Sequence, residues 1–449
     1  MTILSRVTDP RTGFTRSSFP NCRIPEVARA VEAAREAQQA WSSLTPGGRS
    51  RQLLRLAERI EERQEEYVRA EVAGTGKPLE EARGEIIQAA DVIRFYAGAA
   101  RTELTPAAGL RMEGRESWVR WEPLGVVAAV TPWNYPLMMA AWRLGPALAA
   151  GNTVVLKPAE TTPDSVLLLA KDAEEILGEY VVDVVTGDRE TGRILVESAV
   201  DTIAFTGSSS AGLDVARRAG LRRVSLELGG NCPVLVLPDA PENTFTSIVG
   251  AATYNAGQSC AAPARVIALA ENYTTVVEGL VKAMEVRIAG IDFGPLNNPS
   301  QLDRYDRILS ASGAGVRYVA PVTPAADENG GYWRASAILA ELPDDDPAIQ
   351  EEVFGPVLTV QRARDLAHAV QLANSVEQAL AGSVWSRDTS TALDLATSLN
   401  CGEAWVNCHL DQAAELPHGG RRSSGYGTDL SVLALGDYQR PKSVTVRLK

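Results

Sequence analysis

Cys260 lies in Gln258-Ser259-Cys260-Ala261-Ala262, behind Gly257 and a predicted helix that ends at Ala256. Small neighbours would let a substrate come close to its sulfur, and a thiolate in such a place is a nucleophile. The competing reading is a free cysteine that fills space as a small hydrophobe, and Cys22, Cys232, Cys401 and Cys408 are taken that way. Glu227 stands in Leu226-Glu-Leu-Gly-Gly230, at the end of a predicted strand. A carboxylate there, followed by two glycines, points into the crevice where open α/β sheets bind ligands. An ion-paired surface glutamate is the alternative.

Four further segments could serve a nucleotide or a developing charge. Phe205-Thr-Gly-Ser-Ser-Ser-Ala-Gly212 runs from a strand into a helix, and a helix N-terminus offers unpaired N–H groups to a phosphate. It is neither GxGxxG nor a Walker sequence. Lys157-Pro-Ala-Glu160 closes another strand, in a chain with only six lysines against 38 arginines. A lysine and a glutamate at a strand end could bind the ribose hydroxyls of an adenosine. Glu160 suits a free 2′-hydroxyl and would repel a 2′-phosphate, which prefers NAD over NADP. In Pro132-Trp-Asn-Tyr-Pro136 two prolines fix a turn and Asn134 can present an amide N–H to an oxyanion, although turn asparagines are common. Glu351-Glu-Val-Phe-Gly-Pro356 could hold a ribose and brace a flat ring, or be an ordinary loop.

These residues need a frame. Three amphipathic helices are predicted over Ile24–Ala40, Gly48–Ala73 and Leu79–Arg101, with apolar residues at three- and four-residue spacing. Glu116–Glu122 alternates as a half-exposed strand does. Strands at 126–130, 153–156, 181–185, 202–205 and 223–227 then alternate with helices at 137–150, 163–177, 190–198 and 212–219. That pattern predicts a parallel sheet with helices on both faces. A second α/β block begins near Asn231 and runs to a strand at Trp405-Val406-Asn407. The Ser443–Arg447 tail alternates again and is expected to pair with the Ser117 region across a subunit boundary.

The 449 residues are enough for two or three domains. A net charge of −12 argues against nucleic-acid or anionic-membrane partners. The most apolar stretch, 137–156, is interrupted by Arg143, Gly145, Pro146, Gly151 and Asn152, so no membrane span is expected. Met1–Pro10 lacks a basic segment followed by an apolar run, so no secretory signal is expected, and five widely spaced cysteines fit reduced thiols in the cytoplasm. His368, His409 and His418 are too few and too scattered for a histidine metal site, and none is expected.

Together, WNYP, KPAE, FTGS, ELGG, GQSC and EEVFGPV, with Cys260 and Glu227 33 positions apart, resemble the aldehyde dehydrogenase superfamily from about Asp9 to the C-terminus. The resemblance implies an α/β fold with three parts. A Rossmann-type NAD-binding domain would comprise 1–104 and 124–229, a catalytic domain 230–436, and a small β oligomerisation arm 105–123 and 437–449. It further implies that Cys260 attacks an aldehyde, that Asn134 and the Cys260 N–H hold the oxyanion, and that Glu227 activates water to release the acid. Thr131, Pro132, Trp133, Lys157, Glu160, Gly207, Ser208, Gly229, Glu352 and Phe354 would contact NAD, with Ser208 at the pyrophosphate, Glu352 at the nicotinamide ribose and Phe354 against the ring. A homodimer or homotetramer is expected. The stretches 91–100, 135–142, ELPHGG and SGYGTD are closest to γ-aminobutyraldehyde and related aminoaldehyde dehydrogenases, with Tyr135, Trp142 and Asp411 as candidate substrate residues. Uncharged aldehydes, and a non-catalytic NAD-binding scaffold, are the alternatives. Arg143 and Asn231 depart from the family pattern, in which lysine is usual at both.

Overall fold

The computed structural model describes residues 3–102, 108–323, 326 and 330–448. Val126–Val130, Thr153–Lys157 and Thr202–Gly207 are almost wholly buried runs, as strands covered on both faces must be. With Val182–Val184 and Arg223–Leu228 they make a parallel sheet, and Gly425–Tyr426 adds an antiparallel edge strand. The order is Gly425–Tyr426, Arg223–Leu228, Thr202–Gly207, Val126–Val130, Thr153–Lys157, Val182–Val184. The chain thus builds one side of Val126–Val130 and returns to begin the other with Thr202–Gly207. Those two neighbours flank the switch point, where open sheets bind ligands beyond their carboxyl ends.

The helix Pro136–Ala149 is buried at every residue and anchors one face with Pro46–Glu62, Gln64–Thr75 and Leu79–Ala99. Ile24–Ser43 covers the opposite face through Val27, Val31 and Ala34. A seven-stranded sheet follows, ordered Val316–Val319, Ala337–Ala340, Val357–Ala363, Pro263–Leu269, Cys232–Val236, Ala381–Trp385, Glu403–Val406. Gly229, Gly230 and Asn231 are the whole link from Leu228 into Cys232–Val236, so the two sheets meet tightly. No helix among the described residues is long and apolar enough to cross a membrane. All five cysteines are free thiols.

Three sequence expectations change in detail. The helix expected over 48–73 is two helices broken at Arg63, which leaves helical geometry as its guanidinium bonds buried Asp172 at 2.6 Å. The helix expected to reach Ala256 stops at Thr253 and gives way to a tight turn, Tyr254–Gly257. The tail pairs within its own chain rather than across subunits. Gln439–Arg447 lies antiparallel to Arg115–Pro123, with Thr445 opposite Ser117, and Ala108–Met112 completes a three-stranded sheet. The turn Val432–Asp437 returns the chain so that Leu124 donates to the Tyr438 carbonyl. An N-terminal hairpin, Leu4–Thr8 with Thr15–Pro20, escaped the periodicity because its second strand is almost entirely exposed.

Candidate active site

The loop that carries Cys260 is held in an unusual conformation. Asn255 and Ala256 have φ of 47° and 55°, the left-handed region that costs a non-glycine residue energy and persists only where the surroundings impose it. Several bonds impose it here. Glu81 accepts the Asn255 N–H at 2.9 Å, and the Asn255 side chain donates to the Asn134 carbonyl at 2.9 Å. Gln258 accepts from the Asn297 N–H at 2.9 Å and donates to the Asn255 carbonyl at 3.0 Å. Gly257 takes φ 70°, and a Cβ there would come within 2.3 Å of the Gly355 carbonyl oxygen. The sulfur is thus presented by a braced loop, half-buried three residues before the strand Pro263–Leu269.

Asn134 approaches from the turn after Val126–Val130. One N–H of its amide bonds the Gln258 carbonyl at 2.9 Å, while its Oδ1 is buried without a partner. Its other amide N–H is left for an acceptor in the cleft. Glu227 is the penultimate residue of Arg223–Leu228, one strand beyond Thr202–Gly207, and both of its carboxylate oxygens are buried without a hydrogen bond. A donor-free carboxylate is costly to keep dry and well suited to accept a proton. Glu352 reaches across to accept the Gly230 N–H at 2.9 Å, and burial pushes its carboxyl up to about 7. A Cβ on Gly229 would lie 2.2 Å from a Glu352 oxygen, so a larger residue there would push that carboxylate aside.

A cleft of about 680 Å³ joins these parts. Pro132, Trp133, Asn134, Gly207, Ser208, Glu227, Gly229, Cys260, Glu352 and Phe354 all line it. Phe354, at φ 55°, sets its ring edge-on to Trp133 at 5.5 Å. Ser208 caps the helix Ser209–Ala219 by accepting the Ala211 N–H, which leaves that N-terminus facing the cleft. Thr131 is buried beside it, its hydroxyl without a partner. Lys157 lies on a second, adjoining hollow with Phe205, Gly192 and Val215. Its ammonium donates to the Pro158 carbonyl at 2.9 Å and faces Glu160 at 3.5 Å, while burial lowers its pKa.

Tyr135 and Trp142 are both buried near Cys260. Tyr135 stacks on Tyr254 at 6.4 Å and carries the Lys77 ammonium 4.6 Å from its ring centre. Trp142 meets the ring of His418 edge-on at 5.3 Å. Asp411 does not join them: it is exposed, outside the lining of the Cys260 cleft, and its carbonyl accepts from Trp405 at 2.9 Å. The scatter of histidines in the sequence misleads in the opposite sense. His418, fully buried, brings a ring nitrogen within 4.8 Å of both the Cys260 sulfur and the Glu227 carboxylate. The only sequence signal for it was its place in the ELPHGG motif. Arg143 pairs with buried Asp429 at 2.6 Å, and Asn231 donates to the Ile349 carbonyl at 2.8 Å, so both departures are built into the packing.

The aldehyde dehydrogenase family model matches residues 4–444, nearly the whole chain. The chain belongs to the aldehyde dehydrogenase family. It is 35% identical over 464 residues to DhaS of Bacillus subtilis strain 168, assigned as an aldehyde dehydrogenase, covering 98% of this chain and 92% of that one. A crystal structure of a Burkholderia cenocepacia protein given the same assignment superposes with a TM-score of 0.95 at 35% identity, over 100% of this chain and 97% of that one. Betaine aldehyde dehydrogenase from Staphylococcus aureus, in complex with NAD+, superposes with a TM-score of 0.94 at 27% identity, over 99% and 92%. This aldehyde dehydrogenase therefore shares its entire fold, and not one domain alone, with solved members of the family.

Proposed function

We propose that the protein oxidises an aldehyde to its carboxylic acid with NAD+, through a covalent adduct on Cys260. The carrying observation is the convergence of Cys260, the free N–H of Asn134 and the unpartnered Glu227 carboxylate on one cleft at the sheet's switch point. Thr131, Ser208 and the Gly207 and Gly229 backbones suit a dinucleotide along the same cleft, with Glu352 and Phe354 at its far end. Bound there, NAD+ would supply the hydride acceptor. The solved relative with NAD+ in place supports this cofactor.

An aldehyde carries no leaving group, so the chain must first build a tetrahedral centre. The Cys260 thiolate forms a C–S bond to the carbonyl carbon, and the new oxyanion lies on Asn134 Nδ2–H and the Cys260 N–H. After the hydride leaves, Cys260 holds the acyl group as a thioester. Glu227 takes a proton from a water molecule, whose oxygen displaces the sulfur and releases the acid.

For substrate we propose a small aminoaldehyde such as 4-aminobutanal. The likeness of stretches 91–100 and 135–142 to aminoaldehyde dehydrogenases supports this reading, and the Glu403 carboxylate behind His418 adds negative charge near the aldehyde. The exposed position of Asp411 favours the second reading, an uncharged aldehyde, because water screens the acid expected to hold the amine. Measuring NADH formation on 4-aminobutanal and on an uncharged aldehyde of equal length decides between them. Cys260→Ala should abolish turnover on both and still bind NAD+. Retained turnover would overturn the nucleophile, and bound NAD+ without turnover in the wild type would favour a scaffold.

A further inference from the structure

The reading of Cys260 as the nucleophile leaves one buried group beside it without a task. His418 Nδ1 lies 2.8 Å from Oε2 of Glu403, the first residue of the strand Glu403–Val406. A carboxylate oxygen only accepts, so Nδ1 carries the hydrogen and Nε2 presents its lone pair. Gln412 Nε2 donates to that same Glu403 oxygen at 3.1 Å, which holds the carboxylate in place; with a hydrogen on Nδ1 the amide makes no bond to the ring itself. His418 Nε2 is buried without a hydrogen-bond partner, 3.6 Å from Glu227 Oε1 and within 4.8 Å of Cys260 Sγ. A buried imidazole nitrogen, oriented by a carboxylate from behind and unpartnered beside a thiol, has the layout of a general base.

We propose that His418, oriented by Glu403, takes the thiol proton of Cys260 as the sulfur attacks; this rests on Cys260 being the nucleophile. The S–H bond breaks, an N–H bond forms at Nε2, and the Nδ1 hydrogen stays on Glu403. The product is an imidazolium flanked by two carboxylates, Glu227 and Glu403. Glu227 is thereby left free for the later step on water.

The surroundings of His418 support that charge state. Glu227 faces it from the first sheet, Cys260 from its loop and Glu403 from the second sheet, while Trp142 contributes only a ring edge. Asp429 pairs with it through the backbone and holds Arg143, whose guanidinium stays protonated and cannot exchange protons in this range. Against its burial, Cys260, Glu227 and Glu403 hold the imidazole well above the ordinary histidine range. Burial and the Glu227 charge raise the Cys260 thiol to about 12 even with His418 pulling it down, so removing His418 would leave it higher still. Without His418 the thiolate would face Glu227 alone, a like charge.

The test is the pH dependence of alkylation at Cys260 by iodoacetamide, followed by mass spectrometry of the Cys260 peptide. The full-length enzyme is used in chelating buffer without NAD+. The thiolate is the reacting species, so each pH unit of displacement is tenfold in rate below the inflection. His418→Phe and His418→Gln should move the inflection up by about one unit or more and slow alkylation at pH 7 about tenfold. Glu403→Gln should move it less, in the same direction, because the ring remains. Wild-type profiles in both His418 variants would overturn the proposal. NAD+ binding reports folding of each variant, and His418→Gln decides the matter if His418→Phe does not fold. Turnover retained in Cys260→Ala would instead strike the nucleophile itself, whatever the alkylation profiles show.

Discussion

Glu227 and Cys260 have separate duties in the proposed cycle, and one substitution should pull them apart. Glu227→Gln keeps the shape of the side chain and removes its basicity. Acylation should then proceed and hydrolysis stall. The expected outcome in rapid mixing is a burst of about one NADH per site followed by turnover slowed by about 10²–10⁴-fold, the span a positioned base supplies. Loss of the burst together with the steady state would place Glu227 in the attack step instead. At this scale the sequence was legible where a residue type and its motif coincide, as at Cys260, Glu227 and Asn134. His418 was not, because its surroundings come from Glu403, Gln412, Trp142 and Cys260 on four separate segments.

Among the elements, the short crossing from Leu228 to Cys232 does the most to set the site. It carries the first sheet into the second and threads between Glu352 and the Cys260 loop. A Cβ on Gly230 would come within 2.1 Å of the Cys260 carbonyl oxygen, a backbone atom that cannot step aside without moving the loop. Gly230→Ala should therefore lower kcat by about 100-fold, the cost of an ångström-scale misplacement, while NAD+ binding persists. Steady-state kinetics with a binding titration check both halves. Strand and helix order was readable from periodicity because the buried strands are short β-branched runs. The broken helix at Arg63 and the early stop at Thr253 were not, since long-range bonds to Asp172, Glu81 and Asn134 decide them.

Across the whole molecule, a buried acidic cluster ties the N-terminal helices to the site. Lys77 reaches both Glu85 and the Asn134 carbonyl, and Glu81 holds Asn255. Burial raises Glu81 to about 7 and Glu85 to about 8, whereas glutamate in an unfolded chain titrates near about 4.3. The folded chain thus keeps protons that the unfolded chain has lost, and stability falls as pH rises toward those values. His409, pushed down to about 4 by burial, acts oppositely, but its effect is complete above about 6.5, the unfolded histidine value. Thermal melts should therefore drop by several degrees between pH 6.5 and 8.5, and Glu81→Gln should flatten the trend. A flat wild-type profile would contradict it. The three-stranded sheet exposes Leu110, Met112, Val119 and Val446, and we expect it to seat a second copy. Light scattering after size exclusion should give a dimer or tetramer, and Leu110→Asp with Val446→Asp should shift it toward monomer.

By itself the sequence determined the family, the two-block α/β order and the residue types of the chemistry, because each is written in local runs and fixed motifs. Only the tertiary structure decided who stands next to whom. It returned the tail to its own chain, left Asp411 exposed and set His418 between Glu227 and Glu403. Those outcomes depend on contacts among residues far apart in the chain, which no local pattern encodes.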